Sequence, residues 1–138
     1  SALGVYGTTV ITALTAQNTL GVTGVYTIPP AFIVKQAETL TNDIEVTAAK
    51  TGMLGDAVTV ATVVAILQAH EFGPLVVDPV MVASSGDVLL APDAVAAVRN
   101  LLLPLATLIT PNIYEAAKLL GETVATTVAE MESQARRL

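Results

Sequence analysis

The sequence predicts an α/β fold in which a mainly parallel sheet is covered on both faces by helices. Three observations point there. Apolar residues make up 53% of the chain and charged ones only 13%, a balance that supports a packed core and excludes a disordered chain. The aromatic share is 4% with no Trp, so that core must be built from Val, Leu, Ile and Ala, as in strands buried on both faces. Short apolar runs bounded by Gly and Pro alternate with helical patterns, the signature of βαβ units. At 138 residues, one domain over 1–138 is expected.

The elements follow in order. Val5–Thr15 (VYGTTVITALT) is β-branched and apolar without helical spacing, and 8–15 is expected as a central strand buried on both faces. Val22–Ile28 alternates in pattern and is stopped by Pro29-Pro30, which reads as a half-exposed strand or flap. Proline is tolerated in a first helical turn, so a helix over 30–41 follows, burying Phe32, Ile33, Ala37 and Leu40. A strand at 46–50 precedes a helix at 56–70 that carries Val58, Ala61, Ile66 and Leu67, with Gly73 as a stop. Pro74–Val80 (PLVVDPV) is an apolar run interrupted only by Asp78, and predicts another buried parallel strand with Asp78 at its C-terminal end. A polar turn at Ser84-Ser85-Gly86-Asp87 leads to a helix at 92–103, a strand at 106–110 and a helix at 112–120. The last helix, 126–138, ends on Arg136-Arg137, where cations complement the helix dipole.

Charge narrows the partners. Twelve acidic against six basic residues give a formal charge of −6, the wrong sign for a nucleic acid backbone. No apolar run reaches the roughly 18 residues of a membrane span, so no membrane partner is expected. The first basic residue is Lys35, so no secretory or transit start is read, and the absence of Cys excludes disulfides, thiolate metal sites and a Cys nucleophile in these residues. A cytoplasmic protein is expected.

Ligands of open parallel sheets bind beyond the carboxyl ends of the strands, which directs attention to Gln17-Asn18, Lys50-Thr51, Asp78, and Asn112 with Glu115. Asp78 interrupts an apolar strand, where a carboxylate needs a partner; it either meets magnesium or phosphate or caps the next turn. Asn112 and Glu115 are spaced i, i+3 at a helix start, which fits a shared hydrated metal and equally a capping box. Lys50 is a candidate phosphate contact or a solvated strand-end lysine. Met53 serves as core or as a soft wall for a flat heteroaromatic ring. Gln17 offers the donor and acceptor of an aminopyrimidine edge, or merely closes a strand. His70 reads as a helix-end residue, and Ser84-Ser85-Gly86 as a turn, since no strand-loop-helix phosphate motif surrounds it.

Taken in order, TAQNTLGVTGV, AAKTGML, VVDPVMVASSGDVLLAPDAV, LLLPLATLITPN and EAAKLLG resemble successive blocks of the hydroxymethylpyrimidine/phosphomethylpyrimidine kinase family, over Leu3 to Gly121. VVDPVMV and TPN-x-x-EA are the more specific segments. The resemblance implies a three-layer ribokinase-like fold and an ATP- and Mg2+-dependent kinase of thiamine biosynthesis. It would phosphorylate 4-amino-5-hydroxymethyl-2-methylpyrimidine and then its monophosphate. It further implies that Gln17, Met53 and Val80 line a pyrimidine pocket, that Lys50, Asp78, Asn112 and Glu115 surround the nucleotide phosphates, and that Asp78 and Glu115 face the metal.

The family also carries an upstream AGSD-type segment and a late Gly-rich anion hole with a catalytic base, commonly Cys. Here nine glycines never form G-x-G and Cys is absent, so no catalytic residue is expected in this chain, and the family's N-terminal strand and C-terminal part are expected to be missing. The alternatives are a pyridoxal kinase of the same fold and a non-catalytic pyrimidine-binding or assembly module. Unpaired strand edges would favour a homodimer.

Overall fold

The computed structural model describes residues 4–81 and 89–138; the expected turn at Ser84–Asp87 lies outside them. Two strands, β1 (Ala13–Asn18) and β2 (Gly21–Thr27), form an antiparallel hairpin with a bulge between Ala16 and Gln17. Its tight turn is held by the Asn18 side chain, whose Oδ1 accepts from Leu20 N at 2.8 Å and Gly21 N at 3.2 Å. Then come α1 (Pro30–Thr41), β3 (Ala49–Thr51), α2 (Ala57–Ala69), β4 (Leu75–Val77), α3 (Pro92–Ala97), β5 (Leu108–Ile109), α4 (Ile113–Leu120) and α5 (Val128–Ala135). Beyond α3 the helical path continues through a wider turn at 98–102 and a tighter one at 103–105, where Pro104 cannot donate to an α-helical ladder.

The three-stranded sheet is parallel in the order β3-β4-β5, so β4 is central. Parallel neighbours need crossover connections, which the stretches containing α2 and α3 supply. The core gathers Leu75 and Val77 from β4 with Leu54, Val60, Val64, Met81, Leu90, Ala94, Val98, Leu102 and Leu119. Val, Leu and Ala do most of the filling, as expected, and Met81 joins them.

The expected central strand at Val5–Thr15 is not found. Residues 5–12 join no ladder, 5–9 are exposed, and the strand begins only at Ala13, in the hairpin rather than the parallel sheet. The backbone of Ile11 finds its partner off any sheet: its N–H donates to Gln36 Oε1 and its C=O accepts from Gln36 Nε2, both at 3.0 Å. One side-chain amide thus does what a neighbouring strand would do. The hairpin at 21–27 agrees with the half-exposed strand or flap read from alternation.

Strands expected at 46–50, 74–80 and 106–110 are shorter, because only Ala49–Thr51, Leu75–Val77 and Leu108–Ile109 find ladder partners. On α1, Ile33 and Ala37 are buried but Phe32 is 55% exposed, one position outside the stripe. On α2, Thr59, Val60 and Val64 are buried, while Val58 and Ala61 face outward. Thr, Val, Ile and Ala surround that helix, so no polar face marks the inner side.

β-Branched residues make α2 a weak helix former by itself. Its N-terminus is fastened by Asp56, whose Oδ1 accepts from Thr59 N at 2.7 Å. In the intact protein Asp56→Ala is expected to lose about 1 kcal/mol and Asp56→Asn much less, because asparagine keeps the acceptor. Urea denaturation of the two variants measures the difference.

The C-terminal helices are tied together by side chains. Arg137 Nη1 and Nη2 donate to the two oxygens of Glu122, the Nη2 contact at 2.8 Å, and Gln134 Nε2 donates to Thr123 O at 2.9 Å. The Arg137 hydrogen bond holds the Glu122 carboxyl below the usual carboxylate range.

Candidate functional site at the strand carboxyl ends

The carboxyl ends of β3 and β4 lie side by side, and the residues just past them meet. Asp78 N donates to Thr51 O at 3.2 Å, so β4 stays paired one residue past its end. Val80 N then donates to Asp78 O at 2.9 Å, turning the chain sharply. Asp78, Val80, Gly52 and Leu54 line one small cavity with Pro79 and Leu90. Met53 lies between Gly52 and Leu54, and its carbonyl accepts from Thr12 Oγ1 at 2.7 Å. The segment leading into β1 is thereby tied to the loop after β3.

Lys50 Nζ donates to Asp78 Oδ2 at 2.9 Å, joining the ends of two neighbouring strands. The lysine side chain is 56% exposed and the aspartate 32%, so solvent screens the pair and both groups stay reachable. Thr51, one residue on, is buried, and its hydroxyl has no partner among the described residues. Sequence reasoning named Thr51 only as a neighbour of Lys50; a Thr ending a buried strand gives no further signal.

Asn112 caps α4. Its Oδ1 accepts from Tyr114 N and Glu115 N, both at 3.0 Å, and Glu115 Oε2 accepts from Asn112 N at 2.9 Å, which completes the capping box. Glu115 is only 6% exposed, and its other oxygen accepts from Met81 N at 3.2 Å. The amides of Asn112, Tyr114 and Glu115 at this helix start are therefore engaged within the protein. Met81 was not among the expected site residues, because a backbone amide leaves no mark in the side-chain pattern.

Of the expected residues, the structure groups Met53, Val80, Asp78 and Lys50 at the ends of β3 and β4, with Asn112 and Glu115 joined to the same turn through Met81. Gln17 stands apart, exposed on the hairpin beside its bulge. Among the described residues no group of three or more His, Cys, Asp or Glu side chains is placed to hold a metal. Among them, too, no helix is long and apolar enough to cross a membrane. The arrangement offers one accessible carboxylate, one accessible ammonium and a partly apolar wall.

The family model described as phosphomethylpyrimidine kinase matches residues 1–138. The hydroxymethylpyrimidine/phosphomethylpyrimidine kinase of Escherichia coli K12 is 49% identical over 138 residues, which is 100% of this chain and 52% of that protein. The crystal structure of phosphomethylpyrimidine kinase from Clostridium difficile 630 superposes with a TM-score of 0.88 at 40% identity, covering 99% of this chain and 58% of that one. The pyridoxal kinase of Staphylococcus aureus in complex with AMP-PCP and pyridoxal gives 0.77 at 31% identity, over 92% of this chain and 45% of that one. The chain thus spans about half the length of the curated relatives it matches.

Proposed function

The chain belongs to the phosphomethylpyrimidine kinase family, and we propose that the protein containing it transfers the γ-phosphoryl group of ATP to the hydroxymethyl oxygen of 4-amino-5-hydroxymethyl-2-methylpyrimidine. A second transfer then converts the monophosphate to the diphosphate. The observation that carries this reading is the meeting of Val80 and Asp78 with Gly52 and Leu54 just past the carboxyl ends of adjacent parallel strands, inside a chain nearly half identical to a kinase of that name. Residues 1–138 are read as part of one kinase domain.

Each residue has a part to play. Met53 and Val80 supply apolar contact for a flat ring, and the amide of Gln17, which stands apart on the hairpin, matches the ring's polar edge in its donor and acceptor. Lys50 and Asn112 approach the nucleotide phosphates, Lys50 as a point charge released from Asp78. The donor set fits magnesium, which is usually held by one or two carboxylates together with phosphates and water. Asp78 would hold it, with Glu115 beside the same turn. An ion held there would neutralise charge on the phosphate oxygens. Positioning and charge neutralisation supply most of the catalysis in such transfers.

A pyridoxal kinase activity is the second reading, favoured by the likeness to the Staphylococcus aureus enzyme. ATP turnover by the intact protein separates the two. The pyrimidine alcohol is expected to give a kcat/KM at least about ten-fold above that of pyridoxal, the low end of what a mismatched ring contact discriminates. A preference for pyridoxal would replace the first reading by the second, and no turnover with either would leave a binding or assembly module.

A further inference from the structure

We infer that Glu115 is a positioning residue that clamps the turn following β4, so that Asp78 and Val80 are presented in fixed register. Its carboxylate joins two separate segments. Oε2 accepts from Asn112 N at 2.9 Å within its own helix cap, and Oε1 accepts from Met81 N at 3.2 Å across 34 residues of sequence. Met81 is itself an anchor. Its side chain is fully buried, and its carbonyl accepts from Leu89 N at 2.9 Å and Leu90 N at 3.3 Å. The short stretch from Asp78 to Met81 is therefore held at both ends, by Thr51 O on Asp78 N and by Glu115 on Met81 N.

The chain contains its own control. α5 opens with the same kind of capping box, in which Glu130 Oε2 accepts from Thr126 N at 2.8 Å and Thr127 N at 3.0 Å. Glu130 is exposed and works inside its own cap and the residue before it. Glu115 is buried and adds the bond to a second segment. A carboxylate withdrawn from water needs both oxygens satisfied, and the two amides do that. The difference between the two glutamates isolates the clamp from helix capping.

The kinetic part of this inference rests on the proposed phosphoryl transfer; the clamp itself does not. The test compares Glu115→Gln, Glu115→Asp and Glu130→Gln in the intact protein, reading amide hydrogen exchange over residues 78–81, kcat/KM, and the magnesium dependence of turnover. Glutamine cannot accept with both ends, and aspartate keeps the charge but is too short to span both amides. Both Glu115 variants are expected to speed exchange at Met81 by about ten-fold or more and to lower kcat/KM by about ten-fold, as the loss of a buried charge-assisted hydrogen bond implies. Glu130→Gln should lower the melting temperature alone. Unchanged exchange at Met81 in both variants overturns the clamp. So does parent-like behaviour of Glu115→Asp alongside a raised magnesium requirement in Glu115→Gln, which would make the charge itself the working part. If the parent does not phosphorylate the pyrimidine at all, the functional reading falls while exchange at Met81 still decides the clamp.

Discussion

Replacing Asp78 with Asn in the intact protein is expected to lower Mg·ATP-dependent turnover by about 100-fold or more, the scale on which a group stabilising transferred charge contributes. Pyrimidine binding should change by no more than about two-fold, because the substitution keeps the shape of the side chain and removes only its charge. The competing explanation is that Asp78 exists to pair with Lys50 at 2.9 Å. Magnitudes separate the two. An ion pair whose partners are 56% and 32% exposed contributes on the order of 0.2–1 kcal/mol, which shifts a melting temperature slightly and cannot reduce turnover a hundred-fold. Lys50→Met removes the same pair from the other side. If Asp78 served only that pair, the two variants would behave alike in stability and both would retain turnover. Steady-state kinetics over a magnesium series, with thermal melts of both variants, reads the result. Full turnover in Asp78→Asn would leave Asp78 as a strand-end ion-pair partner.

How much of this was legible in the sequence varies by residue. β4 was readable because Leu75, Val76 and Val77 form an apolar run closed by Gly73-Pro74 and Asp78-Pro79, and a central parallel strand is buried on both faces. The same logic failed at Val5–Thr15. Its β-branched residues suit a strand, yet hydrogen-bond partners decide whether a segment joins a sheet, and Ile11 takes its partner from the Gln36 side chain. Phe32 illustrates a second limit, since a stripe read one position too wide turns a large side chain toward solvent. At the site, Asp78 and Lys50 stood out as polar residues at the ends of apolar strands, but their pairing spans 28 residues and follows only from the parallel register of β3 and β4. The cap of α4 was legible in Asn112-x-x-Glu115, whereas its bond to Met81 N was not, because any residue other than proline offers that amide.

Gly73→Ala is expected to be strongly destabilising, and the reason is a contact as well as a backbone preference. Gly73 has φ of +65°, in the left-handed region, which costs a non-glycine residue about 1–2 kcal/mol. A Cβ at this position would also lie 2.2 Å from the carbonyl oxygen of Thr47 and 3.0 Å from its carbon. Backbone cannot rotate aside as a side chain would. Either the segment before β3 moves or the turn into β4 does, and both carry the first rung of the sheet, where Ala49 N donates to Pro74 O at 3.0 Å. Gly55 provides the comparison. Its φ is +75°, and a methyl group there would meet nothing within 4 Å, so Gly55→Ala carries only the same conformational cost, about 1–2 kcal/mol. Gly73→Ala should lose at least about 3 kcal/mol in the intact protein, placing it among the strongly destabilising substitutions. Chemical denaturation of the two variants gives the contrast. Equal losses would mean that backbone preference accounts for both glycines and that the approach of Thr47 relaxes freely; a larger loss at Gly73 assigns the excess to the close packing that seats β4 beside β3.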